Sequence, residues 1–206
     1  MEDLEKYVEA HSGPREEALE WIERQTHIRT HYPQMLSGVA KSGLLRMLIG
    51  FGKAESVLEI GTFTGYSAAA MALALPEGGT LDTYELNDEL EDLIREGWKR
   101  AGVESKIRLH IGNALEQLPP EGSYDLAYID ADKREYLRYF EAVLPLVRKG
   151  GLIAVDDTLM GSKVLTDAAD PQTRGLREFN EALRSRTDIE TVLLPLPDGF
   201  TLIRVK

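Results

Sequence analysis

The sequence predicts an α/β fold in which a seven-stranded, mostly parallel sheet carries helices on both faces and ends in an antiparallel hairpin. Three observations predict it. Short runs rich in Val, Ile and Leu, suited to buried parallel strands, alternate with longer stretches of helical periodicity. The first run, Ser56 to Ile60, breaks at a glycine turn and restarts as a helix. The last two runs are separated by Leu196-Pro197-Asp198-Gly199, a hairpin signal. No repeat, linker or low-complexity stretch interrupts the chain, so residues 1–206 read as one domain, with residues 1–51 as a helical cap within it.

Residues Asp3 to Arg29 read as two helices, the second begun through Ser12-Gly13-Pro14, with Glu16 and Glu17 placed well for the helix dipole. Tyr32-Pro33 breaks the pattern and Met35 to Phe51 resumes it. Ser56 to Ile60 is the first strand. Gly61 and Gly65 allow a tight turn, and Ser67 to Leu75 is a nearly all-apolar helix. Strand, glycine turn and helix N-terminus make a Rossmann-like cradle for a nucleotide-type ligand. The middle glycine of the dinucleotide fingerprint is missing, which disfavours a nicotinamide or flavin dinucleotide.

Thr80 to Glu85 is the second strand, and Asn87 caps a helix with Leu90, Leu93, Ile94 and Trp98 on one face, which makes Trp98 a core residue. Lys106 to Ile111, Asp125 to Ile129 and Leu152 to Val155 follow as strands. Tyr136, Phe140, Val143, Leu144 and Val147 recur at helical spacing between the last two. Pro171 to Arg184 is a helix, and Ile189 to Leu194 and Phe200 to Val205 are the closing strands.

Composition narrows the function classes. A net charge of −11 opposes nonspecific binding to nucleic acid or anionic membrane. Arg24, His27, Arg29 and His31 form only a local basic cluster, which reads as a solvated helix face. The absence of cysteine excludes disulfides and thiolate chemistry. The first residues lack the pattern of a secretory signal, and the apolar run Ala68 to Leu75 is too short to span a bilayer. A cytoplasmic protein is expected.

Chemistry-bearing residues gather at strand ends. Glu85 ends the second strand, where a carboxylate accepts the ribose hydroxyls of a nucleoside. Gly112-Asn113-Ala114 ends the third strand, where an adenine edge would lie. Asp130 ends the fourth strand, and Asp156-Asp157 ends the fifth. Three carboxylates at one point repel one another and need a cation, and oxygen ligation selects magnesium, manganese or calcium. The alternative is that Asp156 or Asp157 caps a turn and no metal binds. Lys133, one turn beyond Asp130, is a candidate general base if cation charge nearby lowers its pKa.

The stretch Ser56 to Ser67, with Glu59 two residues before Gly61, is similar to the first motif of class I S-adenosylmethionine-dependent methyltransferases. Together with Asp130-Ala131-Asp132-Lys133, Tyr136, Tyr139, Gly150-Gly151, Asp156-Asp157 and Asp198-Gly199, the chain from about Met35 onward resembles the cation-dependent O-methyltransferases, the family of the catechol and caffeoyl-coenzyme A enzymes and their small bacterial relatives. The resemblance implies that Glu59, Gly61, Thr62, Ser67, Glu85, Asn113, Ala114 and Asp130 bind S-adenosylmethionine. It implies that Asp130, Asp156 and Asp157 hold a divalent cation, with magnesium expected, and that Asp130 and Lys133 are catalytic. It also implies a small phenolic acceptor of catechol type and a homodimer. Two positions depart from the family pattern. Asp157 stands where Asn is usual, adding a negative charge, and Asn113 stands where Asp is common. A related substrate, hydroxyuridine in transfer RNA, is the alternative within the family, with the acidic charge against it. A cofactor-binding protein without catalysis is the alternative outside it, with the intact aspartate and lysine set against it.

Overall fold

The computed structural model describes residues 2–13, 15–196 and 198–206, and of residues 2–5 the backbone alone. Pro14 and Pro197, which the sequence places at a helix start and in the hairpin loop, lie outside the described residues. Seven strands, β1 (Ser56–Ile60), β2 (Thr80–Glu85), β3 (Ile107–Ile111), β4 (Tyr124–Ile129), β5 (Val147–Asp156), β6 (Ile189–Leu194) and β7 (Phe200–Val205), make one sheet in the order β3-β2-β1-β4-β5-β7-β6. The helices are α1 (Glu2–Ala10), α2 (Glu17–Arg29), α3 (Gly38–Gly52), α4 (Tyr66–Ala74), α5 (Glu91–Ala101), α6 (Ala114–Gln117), α7 (Tyr136–Val143) and α8 (Pro171–Arg184). None of the described helices is long and apolar enough to cross a membrane.

The chain divides into two compact units. Met1–Glu55 groups with Thr62–Gly112, and Ser56–Gly61 groups with Asn113–Lys206. In the first unit, α2 buries Leu19, Ile22 and Thr26. Its Ile22 approaches α5 so closely that a Cβ on Gly97 would lie 2.6 Å from it, so a glycine is required for this helix crossing. Alanine-rich α4 is buried along Ala68 to Ala72, which is why its sequence is apolar on every side. At its C-terminal end the Lys106 ammonium donates to two carbonyls, Leu75 O at 2.7 Å and Ala72 O at 3.3 Å. Strands β2 and β3 run parallel, with Leu81 opposite Ile107 and Glu85 opposite Ile111.

In the second unit, β1 pairs parallel with β4 and β4 with β5, placing Ile60, Ile129 and Val155 side by side. The residues that follow, Gly61, Asp130 and Asp156, therefore emerge at one level. Strand β7 runs antiparallel to β5, and β6 to β7, as the hairpin signal predicts.

Two local expectations are corrected, and one short helix was not foreseen. Val147 starts β5 and does not end the preceding helix, because Leu144–Leu146 forms a 3-10 turn around Pro145 and stops α7 at Val143. Asn87 caps a 3-10 turn, Asp88–Leu90, and α5 begins only at Glu91. Helix α6 is too short to show a periodic pattern; it exists because the Asn113 side chain accepts from Leu115 N–H at 3.1 Å.

Candidate functional site

In the first unit the glycine turn is held from three sides. Thr62 is buried; its N–H donates to Tyr84 O at 3.2 Å, and its hydroxyl lies 2.6 Å from that of Thr83, so it fastens the turn to β2. Thr64 shares a 2.8 Å hydroxyl contact with Thr26 of α2, both buried. Gly65 has φ +83, and a Cβ there would meet the Trp98 Nε1 at 2.6 Å. That nitrogen donates to Gly65 O at 2.9 Å. Trp98 is a core residue, as expected, and it also fixes the turn. Phe63 adopts φ +49, a left-handed conformation rare outside glycine.

Glu85 meets this turn from the end of β2. One carboxylate oxygen accepts Phe63 N–H at 2.7 Å and the other accepts Asn87 N–H at 2.8 Å. Burial pushes its pKa up, and the backbone donors, which favour the ionised form, offset this only in part. Ser67 lies buried in the first turn of α4.

In the second unit Glu59 is fully buried within β1. Gly61 has φ +99, and a Cβ on it would fall 2.0 Å from Asp130 O, so only glycine lets β1 and β4 end this close together. Asn113 and Ala114 stand at the start of α6, where the Asn113 amide also donates to Glu116 at 3.0 Å. The Asn113 side chain therefore works as a helix cap.

Lys133 sits between two of the three predicted metal ligands. Its Nζ is 2.9 Å from Asp130 Oδ1 and 3.0 Å from Asp157 Oδ2. Burial alone would push the Lys133 pKa down, but Asp130, Tyr136 and Asp157 together outweigh it and hold the group well above the ordinary lysine range. Lys133 is therefore an ammonium here. The ring of Tyr136 lies 5.6 Å from the same nitrogen, and the fully buried Tyr136 hydroxyl has no hydrogen-bond partner among the described residues.

Asp156 differs from the other two. It is fully buried; one of its oxygens accepts the Tyr128 hydroxyl at 2.9 Å and the other accepts Asp157 N–H at 2.7 Å. Tyr128 Oη also lies 3.4 Å from Asp130. The expected convergence of three carboxylates is thus a chain, Asp157–Lys133–Asp130–Tyr128–Asp156. Among the described residues no group of three acidic or histidine side chains is arranged around one point. Two carboxylate oxygens do share one positive centre, and their hard oxygen chemistry fits a divalent cation.

Sequence reasoning missed the backbone contacts that brace these residues. Gly175 of α8 packs so tightly against the Lys133 turn that a Cβ would lie 2.5 Å from Lys133 O. Gly199 packs equally tightly on Leu159, and Asp198 O accepts the N–H groups of Leu159 at 2.7 Å and Met160 at 3.0 Å. The Asp198-Gly199 hairpin thereby anchors the segment that follows Asp157. Isolated glycines in a helix and in a loop were the only sequence signals of these contacts.

The profile of the O-methyltransferase family matches residues 9–206. Caffeoyl-CoA O-methyltransferase 2 of Zea mays is 39% identical over 219 residues, covering 98% of this chain and 83% of that one. Among solved structures, the O-methyltransferase TomG from Streptomyces achromogenes, in complex with SAM, superposes with a TM-score of 0.89 at 30% identity and covers 99% of this chain and 96% of its own. An O-methyltransferase from Bacillus cereus in complex with SAH gives a TM-score of 0.91 at 27% identity, over 99% and 97% of the two chains.

Proposed function

The chain belongs to the O-methyltransferase family, and we propose that it moves a methyl group from S-adenosylmethionine to one oxygen of a small vicinal dihydroxy aromatic, with a divalent cation at the acceptor. The observation that carries this reading is the approach of Asp130 and Asp157 to one positive centre at the ends of β4 and β5. The SAM and SAH in the two structural neighbours support the donor, and the caffeoyl group named for the Zea mays relative supports a catechol-type acceptor.

Asp130 and Asp157 would hold the cation, with Asp156 joined to Asp130 through the Tyr128 hydroxyl, and magnesium, manganese and calcium all suit oxygen ligands. Once bound it would act as a Lewis acid on the acceptor oxygens and lower the pKa of the attacking hydroxyl. Glu85 would accept the ribose hydroxyls while its carboxylate stays fixed by Phe63 and Asn87. Gly61 and Thr62, with Glu59 behind them, would shape the turn that receives the methionine end together with Ser67, and adenine would lie against Asn113 and Ala114. Lys133 would take the acceptor proton. Its two carboxylate neighbours keep it protonated, so it can act as a base only where their charge is neutralised, leaving burial to bring its pKa down. The acceptor oxygen then forms a bond to the methyl carbon as the carbon–sulfur bond breaks, and S-adenosylhomocysteine leaves.

The test is S-adenosylhomocysteine release from S-adenosylmethionine with a panel of catechols, with magnesium and with excess chelator. Turnover lost with chelator and restored by metal is expected. Turnover indifferent to chelator would refute the cation, and silence on every catechol would refute the acceptor class. Lys133→Ala should lower kcat by about 100-fold or more, the range of a general base, with S-adenosylhomocysteine affinity preserved; equal loss of both would reject the base.

A further inference from the structure

The segment between Asp157 and α8 is mostly exposed from Gly161 onward, yet it is tied at its start, middle and end. Its first residues are fastened by Asp198 O, and Thr158 O accepts from the Asn180 side chain at 2.9 Å. Its middle, a 3-10 turn at Lys163–Leu165 and the residues after it, is fastened by one side chain. The Arg177 guanidinium donates to Val164 O at 3.0 Å, Ala168 O at 2.7 Å, Lys163 O at 3.2 Å and Thr166 O. Its far end is the Asp170 cap of α8, which accepts Thr173 N–H at 3.0 Å.

A planar fork of five donors is the only side chain able to satisfy four carbonyls that face it from different directions. Four main-chain carbonyls bound to one guanidinium restrict the conformations open to residues 163–168. Arg177 stands two residues after Gly175, which presses on the Lys133 turn. Helix α8 therefore fixes the strap and the Lys133 turn from one rigid piece of backbone, and the strap begins at Asp157, whose carbonyl accepts Met160 N–H at 3.1 Å.

We propose that Arg177 is a positioning residue for the methyl acceptor: its guanidinium holds the 163–168 strap as the fixed wall against which the acceptor binds. The inference rests on the acceptor reading above, in which Asp157 stands at the acceptor oxygens. Arg177 touches neither donor nor acceptor, so its loss should appear in acceptor binding and not in donor binding.

The experiment compares the full-length wild type with Arg177→Lys and Arg177→Met, using S-adenosylmethionine, magnesium and the best catechol of the panel. Lysine keeps the charge but lacks the fork, so both variants should raise the acceptor KM about tenfold, equivalent to ~1.4 kcal/mol, with Arg177→Lys the milder. The kcat should stay within about threefold and the S-adenosylhomocysteine Kd should be unchanged, since binding common to ground and transition states is what is lost. An active wild type whose variants keep the acceptor KM while the strap becomes protease-sensitive would overturn this inference alone, reducing Arg177 to a structural tie. Equal loss of donor affinity would overturn it as well. A wild type silent on every catechol would overturn the acceptor reading and this inference with it.

Discussion

Replacing Trp98 with phenylalanine separates two roles of one buried side chain. The indole is fully buried and its Nε1 donates to Gly65 O. The hydrogen bond is the smaller loss. Gly65 O also accepts Ala69 N–H at 3.0 Å, so the carbonyl keeps a partner, and the cost is at the low end of the usual range, about 0.5–1 kcal/mol. Trimming indole to phenyl in a close-packed site removes the equivalent of two or three buried methylenes, roughly 2 kcal/mol with incomplete relaxation. The sum, about 2–3 kcal/mol, is mostly packing. Function should respond to the smaller part. With the hydrogen bond gone and space opened behind it, the glycine turn samples more conformations, and S-adenosylhomocysteine should bind about three- to tenfold more weakly, a penalty of ~0.7–1.4 kcal/mol. Urea unfolding gives the first quantity and titration calorimetry the second. A variant that loses the expected stability yet binds S-adenosylhomocysteine as tightly as the wild type would refute the claim that Trp98 fixes the turn.

Two other outcomes are expected. Because burial raises the Glu85 pKa and ribose hydroxyls bind the ionised form, S-adenosylhomocysteine affinity should fall as pH drops through that raised pKa, with a midpoint above the ordinary glutamate value; in Glu85→Gln, weaker throughout, this decline in the acid range should vanish. Gly175→Ala gains about 1 kcal/mol of helix propensity but forces a Cβ to 2.5 Å from Lys133 O. Overpacking of about 1–3 kcal/mol should win, lowering Tm and cutting kcat more than donor affinity; a stabilised and fully active variant would show that the Lys133 turn yields freely.

Much of the sheet was legible because its strands are apolar runs ended by glycine or aspartate, and parallel pairing then sets those ends level. Asp130, Asp156 and Glu85 were placed at strand ends in this way. The sequence could not reveal which carboxylates share a partner. Lys133 is near Asp130 in sequence and was read as a base, while its second contact, Asp157, lies just past the end of another strand, β5. Tyr128 was invisible for the same reason: a tyrosine in an apolar strand reads as core, and only the neighbouring strand supplies Asp156 for its hydroxyl. The Arg177 tie was hidden because its acceptors are backbone carbonyls, which no residue type announces.

The contact of α2 with the glycine turn bears on how members of this family can be recombined. Residues ahead of β1 look like an interchangeable module that could be exchanged to alter acceptor preference. Yet Thr26 contacts Thr64, and Ile22 fills the place where a side chain at position 97 would stand. A chimera that imports a new α2 must import the residues matching positions 64 and 97 with it, or the graft will disturb the donor turn before it reaches any acceptor.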